Sequence, residues 1–319
     1  MFIEQAGENL ARVEQGAGSF GTAQNNVAAI EQKGSDNNAG VVQGFQGTAE
    51  ENQASIQQQG SLHTATVEQG VATGGRSTAS QASIQQAGEG HTGQISQGVN
   101  EGISSQDLAT IDQKGANHQA AISQGSTYFG SANSEAFIQQ RGLNHEATIT
   151  QAATGNSERS QATILQQGSN HTAAITQGAG GLAELSEATI QQAGTQHQAR
   201  IDQGISEVAR NSQATIGQQG NRHEASIQQG YFGTSVDNTA DIQQQGSDHR
   251  GFIFQGVSDA FGTFFVNTEA TQSTAMIDQQ GQAHEAVIIQ AGAGQLADIQ
   301  QRGVGNAAYV AQGISLVIP

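Results

Sequence analysis

Nine histidines occur in this chain, and all of them occupy the same place in a repeated sequence pattern. Imidazole is a common metal ligand and titrates near neutral pH, so such a series suggests either metal sites or pH-sensitive groups. Asparagine fills the same place at Asn9, Asn37 and Asn306, and no acidic or thiol co-ligand recurs beside it. We therefore expect no cofactor and interpret the histidines as polar structural residues, with metal binding as the alternative. The histidines are His63, His91, His118, His145, His171, His197, His223, His249 and His284.

Stacking of the copies would give these histidines a pH dependence. Imidazolium rings about 4.8 Å apart repel by about 3 kcal/mol per neighbour at an effective dielectric constant near 20. Burial and like charge both lower the pKa of a histidine below its free value of about 6.5. The sequence therefore predicts that the stacked structure assembles more slowly or more weakly at acid pH.

The residues around the histidine alternate as they do in β-strands. In the copy at Ser160–Gly178, Ile164 and Ile175 share their parity with alanine and glutamine, while most intervening residues are polar. A period of two places successive side chains on opposite faces of a strand. The four residues Gln167–Asn170 read as a link in which Gly168 takes positive φ and lets the chain reverse. Each copy is therefore predicted to be a strand, an arc and a second strand.

Two isolated strands are marginal in water, so these copies must stack. The predicted fold class is all-β, a β-solenoid of about twelve stacked strand-arc-strand rungs forming two facing parallel sheets. Isoleucine, glutamine and histidine would each lie over their own kind from rung to rung. The predicted glutamine ladder is Gln58, Gln86, Gln113, Gln140, Gln166, Gln192, Gln218, Gln244 and Gln279. The predicted turn glycines are Gly60, Gly88, Gly115, Gly142, Gly168, Gly194, Gly220, Gly246 and Gly281.

The repeat pattern predicts a single domain over residues 1–319 with three irregular parts. These are a degenerate first rung at 1–16, a long insertion at 257–272 that contains Phe261, Phe264 and Phe265, and a strand or cap at 314–319. The links between copies are rich in small residues and share no evident pattern, so they are interpreted as surface loops. Examples are Val71–Ala79, Ser126–Asn133 and Tyr231–Asp237.

Composition narrows the range of partners. The formal net charge of −17 disfavours nucleic acid and acidic membrane surfaces. No apolar run is long enough to span a bilayer, and the amino terminus shows no basic region followed by an apolar core. We therefore expect no membrane insertion, and either a mature, processed chain or one that is not secreted by the signal-peptide route.

The acidic residues do not form a recurring catalytic cluster. Carbohydrate enzymes with stacked β-rungs carry carboxylates on an outer face, whereas Glu68, Asp112, Asp202 and Asp278 are scattered along this chain. We interpret them as solvated charges that limit lateral aggregation, and we do not expect an enzyme.

The repeat pattern continues nearly to both ends of the sequence, which predicts two open sheet edges. Such edges carry unpaired backbone N–H and C=O groups, and a head-to-tail contact that does not close produces a filament. The chain itself is then the expected partner. The predicted fibre interface consists of Phe2, Ile3, Val310, Ile314, Leu316 and Ile318.

The pattern Ser-x5-Gln-x-Gly-x-x-Asn-x-Ala-x3-Gln resembles the curlin repeat of curli fibre subunits, and the resemblance covers essentially the whole chain. The matching positions in one copy are Ser160, Gln166, Gly168, Ala173 and Gln177, with His171 where the family usually has asparagine. The resemblance implies an extracellular, cell-surface amyloid fibre of a bacterial biofilm matrix that supports adhesion and cell aggregation. It also implies a nucleator subunit and a curli-type export system as partners.

A second interpretation stays open, that of a capped, monomeric β-solenoid adhesin that binds a surface through its variable loops. Fractionation separates the two, because a fibre subunit passes into denaturant-resistant polymer and a capped adhesin stays monomeric.

Overall fold

The alternating sequence forms strands throughout the part of the chain that the structure describes. That part of the computed structural model comprises residues 1–16, 21–126, 130–230, 233–256, 259–260, 263–264 and 269–313. All regular secondary structure within it is β-strand. The chain divides into two compact units, Met1–Arg159 and Ser160–Pro319. Each unit is a solenoid of parallel strands, so the predicted all-β solenoid class is confirmed.

The described part of the first unit contains eighteen strands. They are β1 (Phe2–Ala6), β2 (Asn9–Gln15), β3 (Thr22–Gln24), β4 (Val27–Ser35), β5 (Asn37–Gln43), β6 (Thr48–Glu50), β7 (Gln53–Ser61), β8 (Thr64–Gln69), β9 (Arg76–Thr78), β10 (Gln81–Glu89), β11 (Thr92–Gln97), β12 (Ile103–Ser105), β13 (Leu108–Ala116), β14 (Gln119–Gln124), β15 (Gly130–Ala132), β16 (Glu135–Leu143), β17 (Glu146–Gln151) and β18 (Asn156–Glu158).

The second unit contains nineteen strands in the residues described. They are β19 (Gln161–Ser169), β20 (Thr172–Gln177), β21 (Leu182–Glu184), β22 (Glu187–Thr195), β23 (Gln198–Gln203), β24 (Val208–Arg210), β25 (Gln213–Asn221), β26 (Glu224–Gln229), β27 (Thr234–Val236), β28 (Thr239–Ser247), β29 (Arg250–Gln255), β30 (Asp259–Ala260), β31 (Thr263–Phe264), β32 (Glu269–Thr271), β33 (Thr274–Gln282), β34 (Glu285–Gln290), β35 (Gly292–Ala293), β36 (Leu296–Val304) and β37 (Ala307–Gln312).

Each unit has three parallel sheets, and the chain visits one strand of each sheet before it starts the next rung. In the first unit the sheet orders are β1-β4-β7-β10-β13-β16, β2-β5-β8-β11-β14-β17 and β3-β6-β9-β12-β15-β18. In the second unit they are β19-β22-β25-β28-β33-β36, β20-β23-β26-β29-β34-β37 and β21-β24-β27-β32-β35. We call these the first, second and third sheets of each unit.

The register stacks identical residues on one another. Between β10 and β13, Ile84 pairs with Ile111 and Gln86 pairs with Gln113. The inward isoleucines are almost fully buried, as at Ile84 and Ile111 with an exposed fraction of 0%. Full burial of an isoleucine side chain stabilises a fold by about 1.5–3 kcal/mol relative to exposure. A slip of one residue would move every isoleucine to the outer face, so the apolar columns fix the register.

The third sheet was not predicted, and the interpretation of the links as patternless loops is wrong there. The strands β9, β15 and β27 lie within the three links named above, and their central residues Ser77, Ser131 and Ser235 are buried. Each strand has only three residues and one inward position. Alternation cannot be recognised over so short a stretch, and the inward residue also changes between serine and alanine.

The predicted turn glycines lie inside the first-sheet strands, which corrects their placement in the turns. Their φ values are between 120° and 127°. Strand β13 continues past Gly115 to Ala116, and the left-handed turn residue that follows is Asn117 with a φ of 56°. A Cβ atom added at Gly115 would lie 2.0 Å from the carbonyl oxygen of Gly142. Glycine is therefore required by the close approach of successive rungs as well as by its φ value.

The predicted insertion at 257–272 is shorter than expected. Strands β30 and β31 pair antiparallel within it, whereas β32 pairs with β27 as a regular third-sheet strand. The rung pattern thus resumes at Glu269. Phe261, Phe265 and the tail 314–319 lie outside the described residues.

Candidate functional site

The most distinctive feature of each unit is a set of inward polar side chains that repeat from rung to rung. We call them the histidine column, the first and second glutamine columns, and the corner column. The histidine column lies between the first and second strands, and the first glutamine column lies within the first strand. The second glutamine column ends the second strand, and the corner column precedes the first strand.

The histidine column is a stack of buried, nearly parallel rings. In the first unit it contains His63, His91, His118 and His145, with ring centroids 4.8–4.9 Å apart. In the second unit the stack contains the other five histidines at the same spacing, with interplanar angles of 1–3°. All nine side chains are buried.

Hydrogen bonds fix each ring in one neutral form, as His118 illustrates. Its Nε2 lies 3.1 Å from the carbonyl oxygen of Lys114, and its Nδ1 accepts the backbone N–H of His145 at 3.2 Å. A carbonyl oxygen can only accept, so Nε2 carries the proton and Nδ1 does not. Both ring nitrogens are thereby used within the fold. Among the described residues, no cluster of three or more histidine, cysteine, aspartate or glutamate side chains could hold a metal ion.

Asparagine meets the same requirements, which explains why it shares the slot. The Oδ1 atom of Asn37 accepts the backbone N–H of His63 at 3.1 Å. Its Nδ2 donates to the carbonyl oxygen of Gly60 at 3.0 Å. The Oδ1 atom of asparagine thus takes the place of histidine Nδ1. The Nδ2 atom of Asn37 bonds the next rung, whereas that of Asn306 donates to the carbonyl oxygen of Arg302 at 2.8 Å, four residues earlier, as histidine Nε2 does.

Burial makes the charged form of these rings unfavourable. Burial, with a smaller effect of the neighbouring rings, lowers the pKa of His91, His118, His197 and His223 to about 4. Burial lowers the pKa of His63 and His249 as well.

The glutamine columns are continuous hydrogen-bonded ladders within each unit. In the first column, Gln113 Nε2 donates to Gln140 Oε1 at 2.9 Å and to the carbonyl oxygen of Thr92 at 3.1 Å. Gln86 donates in turn to Gln113 Oε1 at 2.9 Å. The same bonds link the predicted residues of the second unit from Gln166 through Gln279. Each amide therefore joins neighbouring rungs and also bridges to the second sheet.

The second glutamine column follows the same rule. Gln97 Nε2 donates to Gln124 Oε1 at 2.8 Å and to the carbonyl oxygen of Gln81 at 3.2 Å. In both columns the bond between two amides runs from Nε2 of one rung to Oε1 of the following rung in the sequence.

The corner column was missed as a polar ladder. It contains serine, asparagine and aspartate, and Asp107 is its most unusual member with an exposed fraction of 1%. The backbone N–H of Ser134 donates to Asp107 Oδ1 at 2.9 Å, and Ser104 Oγ donates to Oδ2 at 2.7 Å. Burial raises the pKa of Asp107 to about 6 despite these bonds. The sequence does indicate that these corner residues point inward, because they lie an even number of residues before the isoleucine of the following strand.

The interpretation of the acidic residues as solvated is wrong for Asp202. Its side chain is fully buried, and Arg200 Nε donates to its Oδ2 at 2.6 Å. Burial raises the pKa of Asp202. Asp112 is also largely covered, with a side-chain exposed fraction of 14%. Periodicity gives no information on which outward positions become covered, so this could not be predicted.

The predicted interface residues occupy different environments at the sheet edges. Ile3 pairs with Ile30 in an apolar column and is 38% exposed, whereas Phe2 pairs with Ala29 on the outer face and is 58% exposed. Val310 pairs with Ile288 in a core column. Ile314, Leu316 and Ile318 lie outside the described residues, and the interface itself stays a prediction.

No helix in the described ranges has the length and apolar character needed to cross a membrane. No protein-family model matches the chain, and a search of curated proteins found no match.

Proposed function

We propose that the chain is a structural subunit that assembles head to tail into an extracellular, curli-like amyloid fibre. The observation that carries this proposal is the direction of the polar columns. In every printed bond between two column amides, Nε2 donates to the Oε1 atom of the following rung, so the two edges of a subunit offer complementary groups.

The polar groups at the two edges match one another. Gln5 and Gln15 in the first rung have no donor to their Oε1 atoms among the described residues, although each donates onward. Gln301 and Gln312 in the last rung accept from the preceding rung and donate only to backbone carbonyl oxygens. A second copy placed head to tail would let Gln301 donate to Gln5, and Gln312 donate to Gln15.

The apolar groups at the edges support the same contact. Ile3 and Val310 belong to core columns, but within the described residues β1 pairs only with β4, and β37 only with β34. Unpaired strands that carry apolar inward residues favour addition of another strand. Head-to-tail stacking would bury these side chains and pair the open backbone groups together.

Engagement of the inward polar side chains in structural hydrogen bonds favours a structural role over catalysis. The net charge of −17 favours separation of fibres over lateral clumping. By the curlin resemblance we further propose a location in a bacterial biofilm matrix. A nucleator subunit and a curli-type export system would act as partners there.

Seeded polymerisation tests the proposal with two matched variants of the first rung. Ile3→Lys places a charge in the proposed joint, whereas Leu10→Lys places the same charge on an outer-face residue that is 64% exposed. We expect wild type and Leu10→Lys to pass from soluble chain into sedimentable, denaturant-resistant fibres on seeding, and Ile3→Lys to stay soluble. Folding of the variant is checked by circular dichroism. A wild-type chain that folds and stays monomeric under seeding would reject the proposal and favour the capped adhesin.

A further inference from the structure

The histidine columns are sensitive to protonation, and the asparagine positions are not. Only the neutral imidazole ring can make the hydrogen bonds of the column. Each Nδ1 accepts a backbone N–H from the next rung, as His91 does from His118 at 3.2 Å. A proton on Nδ1 would turn two donors toward each other and place like charges 4.8–4.9 Å apart. Asparagine supplies the same acceptor without a titratable group.

Charges around the rings compensate little for such a proton. In the first unit the charges that act on His91 and His118 are those of the neighbouring rings. In the second unit Asp248 favours the charged form of His223, but Arg222 Nε already lies 2.7 Å from Asp248 Oδ1. The same Asp248 acts on His249. The other charged side chains that line the groove beside His223 are Glu224 and Arg250, which form an ion pair with each other at 3.4 Å.

Asparagine takes the place of histidine only at one end of each unit. In the first unit Asn9 and Asn37 occupy the first two rungs, and histidine occupies the next four. In the second unit histidine occupies the first five rungs and Asn306 the last. Asn306 continues the column, because its backbone N–H donates to His284 Nδ1 at 3.1 Å. The titratable slots are thus absent from the rungs that would form a joint between copies.

We propose that the histidine columns act as a pH switch on folding of the inner rungs, while the asparagine rungs keep the joint between subunits insensitive to acid. The part that concerns the joint rests on the proposed function. Acid would then hold an incoming chain unfolded without loosening subunit contacts directly. Neutral pH would permit the inner rungs to form on an existing end.

The sign follows from proton linkage. A folded chain whose histidines bind protons more weakly than the unfolded chain is stabilised above about pH 6.5 and loses that contribution as pH falls toward about 4. The slope of the folding equilibrium against pH counts the protons taken up on unfolding, with an upper limit of nine for this series.

The test compares wild type with a variant in which all nine histidines are replaced by asparagine. Folding of the full-length soluble chain is followed by circular dichroism at several denaturant concentrations between pH 7.5 and 4, and the slope gives the proton count. We expect several protons for wild type and a fall of at least five in that count for the variant. An unchanged slope would overturn the inference.

Two further measurements keep the inference falsifiable if that variant does not fold. Histidine ring resonances of wild type, followed by NMR, should report the Nε2-protonated tautomer and show no titration near pH 6.5; titration there would overturn the inference.

A variant with histidine in place of Asn9, Asn37 and Asn306 tests the joint between subunits. Preformed wild-type fibres should keep their length near pH 5, whereas fibres of this variant should shorten, and equal behaviour would reject the claim about the joint. A chain that folds with the expected slope but never polymerises would reject only the proposed function.

Discussion

At the scale of single residues, the repeated glycines of the first-sheet strands allow successive rungs to approach closely. Gly115 has a φ of 127°, and an added Cβ would meet the carbonyl oxygen of Gly142 at 2.0 Å. We expect Gly115→Ala to lower the free energy of unfolding by about 2–5 kcal/mol, because backbone strain and a steric clash combine. Urea titration followed by circular dichroism measures the change.

Gly40→Ala is the matched control in the same unit. Gly40 lies on the second strand of its rung, and a Cβ there meets nothing within 4 Å. Alanine in a strand interior is favoured over glycine by about 0.5–1 kcal/mol, so this variant should be slightly more stable than wild type. Equal destabilisation by both substitutions would show that the close approach at Gly115 is not the cause.

Asp107 provides a second test at this scale, with a sign opposite to that of the histidines. Burial raises the pKa of Asp107 to about 6, so its carboxylate destabilises the fold at neutral pH. At about 1.4 kcal/mol per pKa unit, a rise from an unfolded value of about 3.9 corresponds to about 3 kcal/mol at pH 7. We expect Asp107→Asn to raise the free energy of unfolding by about 2–3 kcal/mol at pH 7, with the gain shrinking as pH falls from about 6 to 4.

The structure shows that asparagine fits this position. In the equivalent place Asn238 Nδ2 donates to Ser235 Oγ at 2.7 Å, and Asn238 Oδ1 accepts the backbone N–H of Ser273 at 2.8 Å. The exposed Asp36 is a control, and Asp36→Asn should change stability by less than about 0.5 kcal/mol. A loss of stability in Asp107→Asn at pH 7 would contradict the assignment of a buried, unfavourable charge.

At the scale of secondary-structure elements, the glutamine columns hold neighbouring strands together across the core. Gln113→Ala would remove the partner of the Gln86 amide, of Gln140 Oε1 and of the Thr92 carbonyl oxygen. Buried polar groups left without partners cost about 1–3 kcal/mol each, and a cavity adds to the loss. We expect a decrease of about 3–5 kcal/mol in the free energy of unfolding, measured by urea titration.

The control for this element is Gln119→Ala on the neighbouring second-sheet strand. The Gln119 side chain is exposed, so its loss should change stability by less than about 0.5 kcal/mol. A similar effect of both substitutions would mean that the ladder bonds contribute little beyond the side-chain stem.

The elements that could be predicted from sequence are those with several inward residues. Strand β19 carries Ala162, Ile164 and Gln166 on one face, which suffices to define a period of two. Strand β9 has only Ser77 inward, so its pairing became apparent only in the structure. Burial of Asp202 was unpredictable for a related reason, because the alternation assigns its position to the outer face without indicating what covers that face.

At the scale of the whole molecule, we expect the stacking of rungs to continue from one subunit into the next. The polar columns have a direction within each unit, and that direction predicts a polar fibre without head-to-head joints. Gold-labelled seeds extended with unlabelled chain and viewed by electron microscopy should therefore add subunits through one type of contact, with all labels oriented alike along a fibre. Joints of mixed orientation would contradict the proposed direction.

We propose that identical residues lie over one another within each unit and also across the joint between one subunit and the next. Cryo-electron microscopy of the assembled fibre tests it most directly, by locating the joint between subunits. We expect Gln5 of one subunit to lie directly above Gln301 of its neighbour, at the same rung spacing as the 4.8–4.9 Å separation of the histidine rings. A joint formed through the outer faces, or one that places Gln5 away from Gln301, would contradict it.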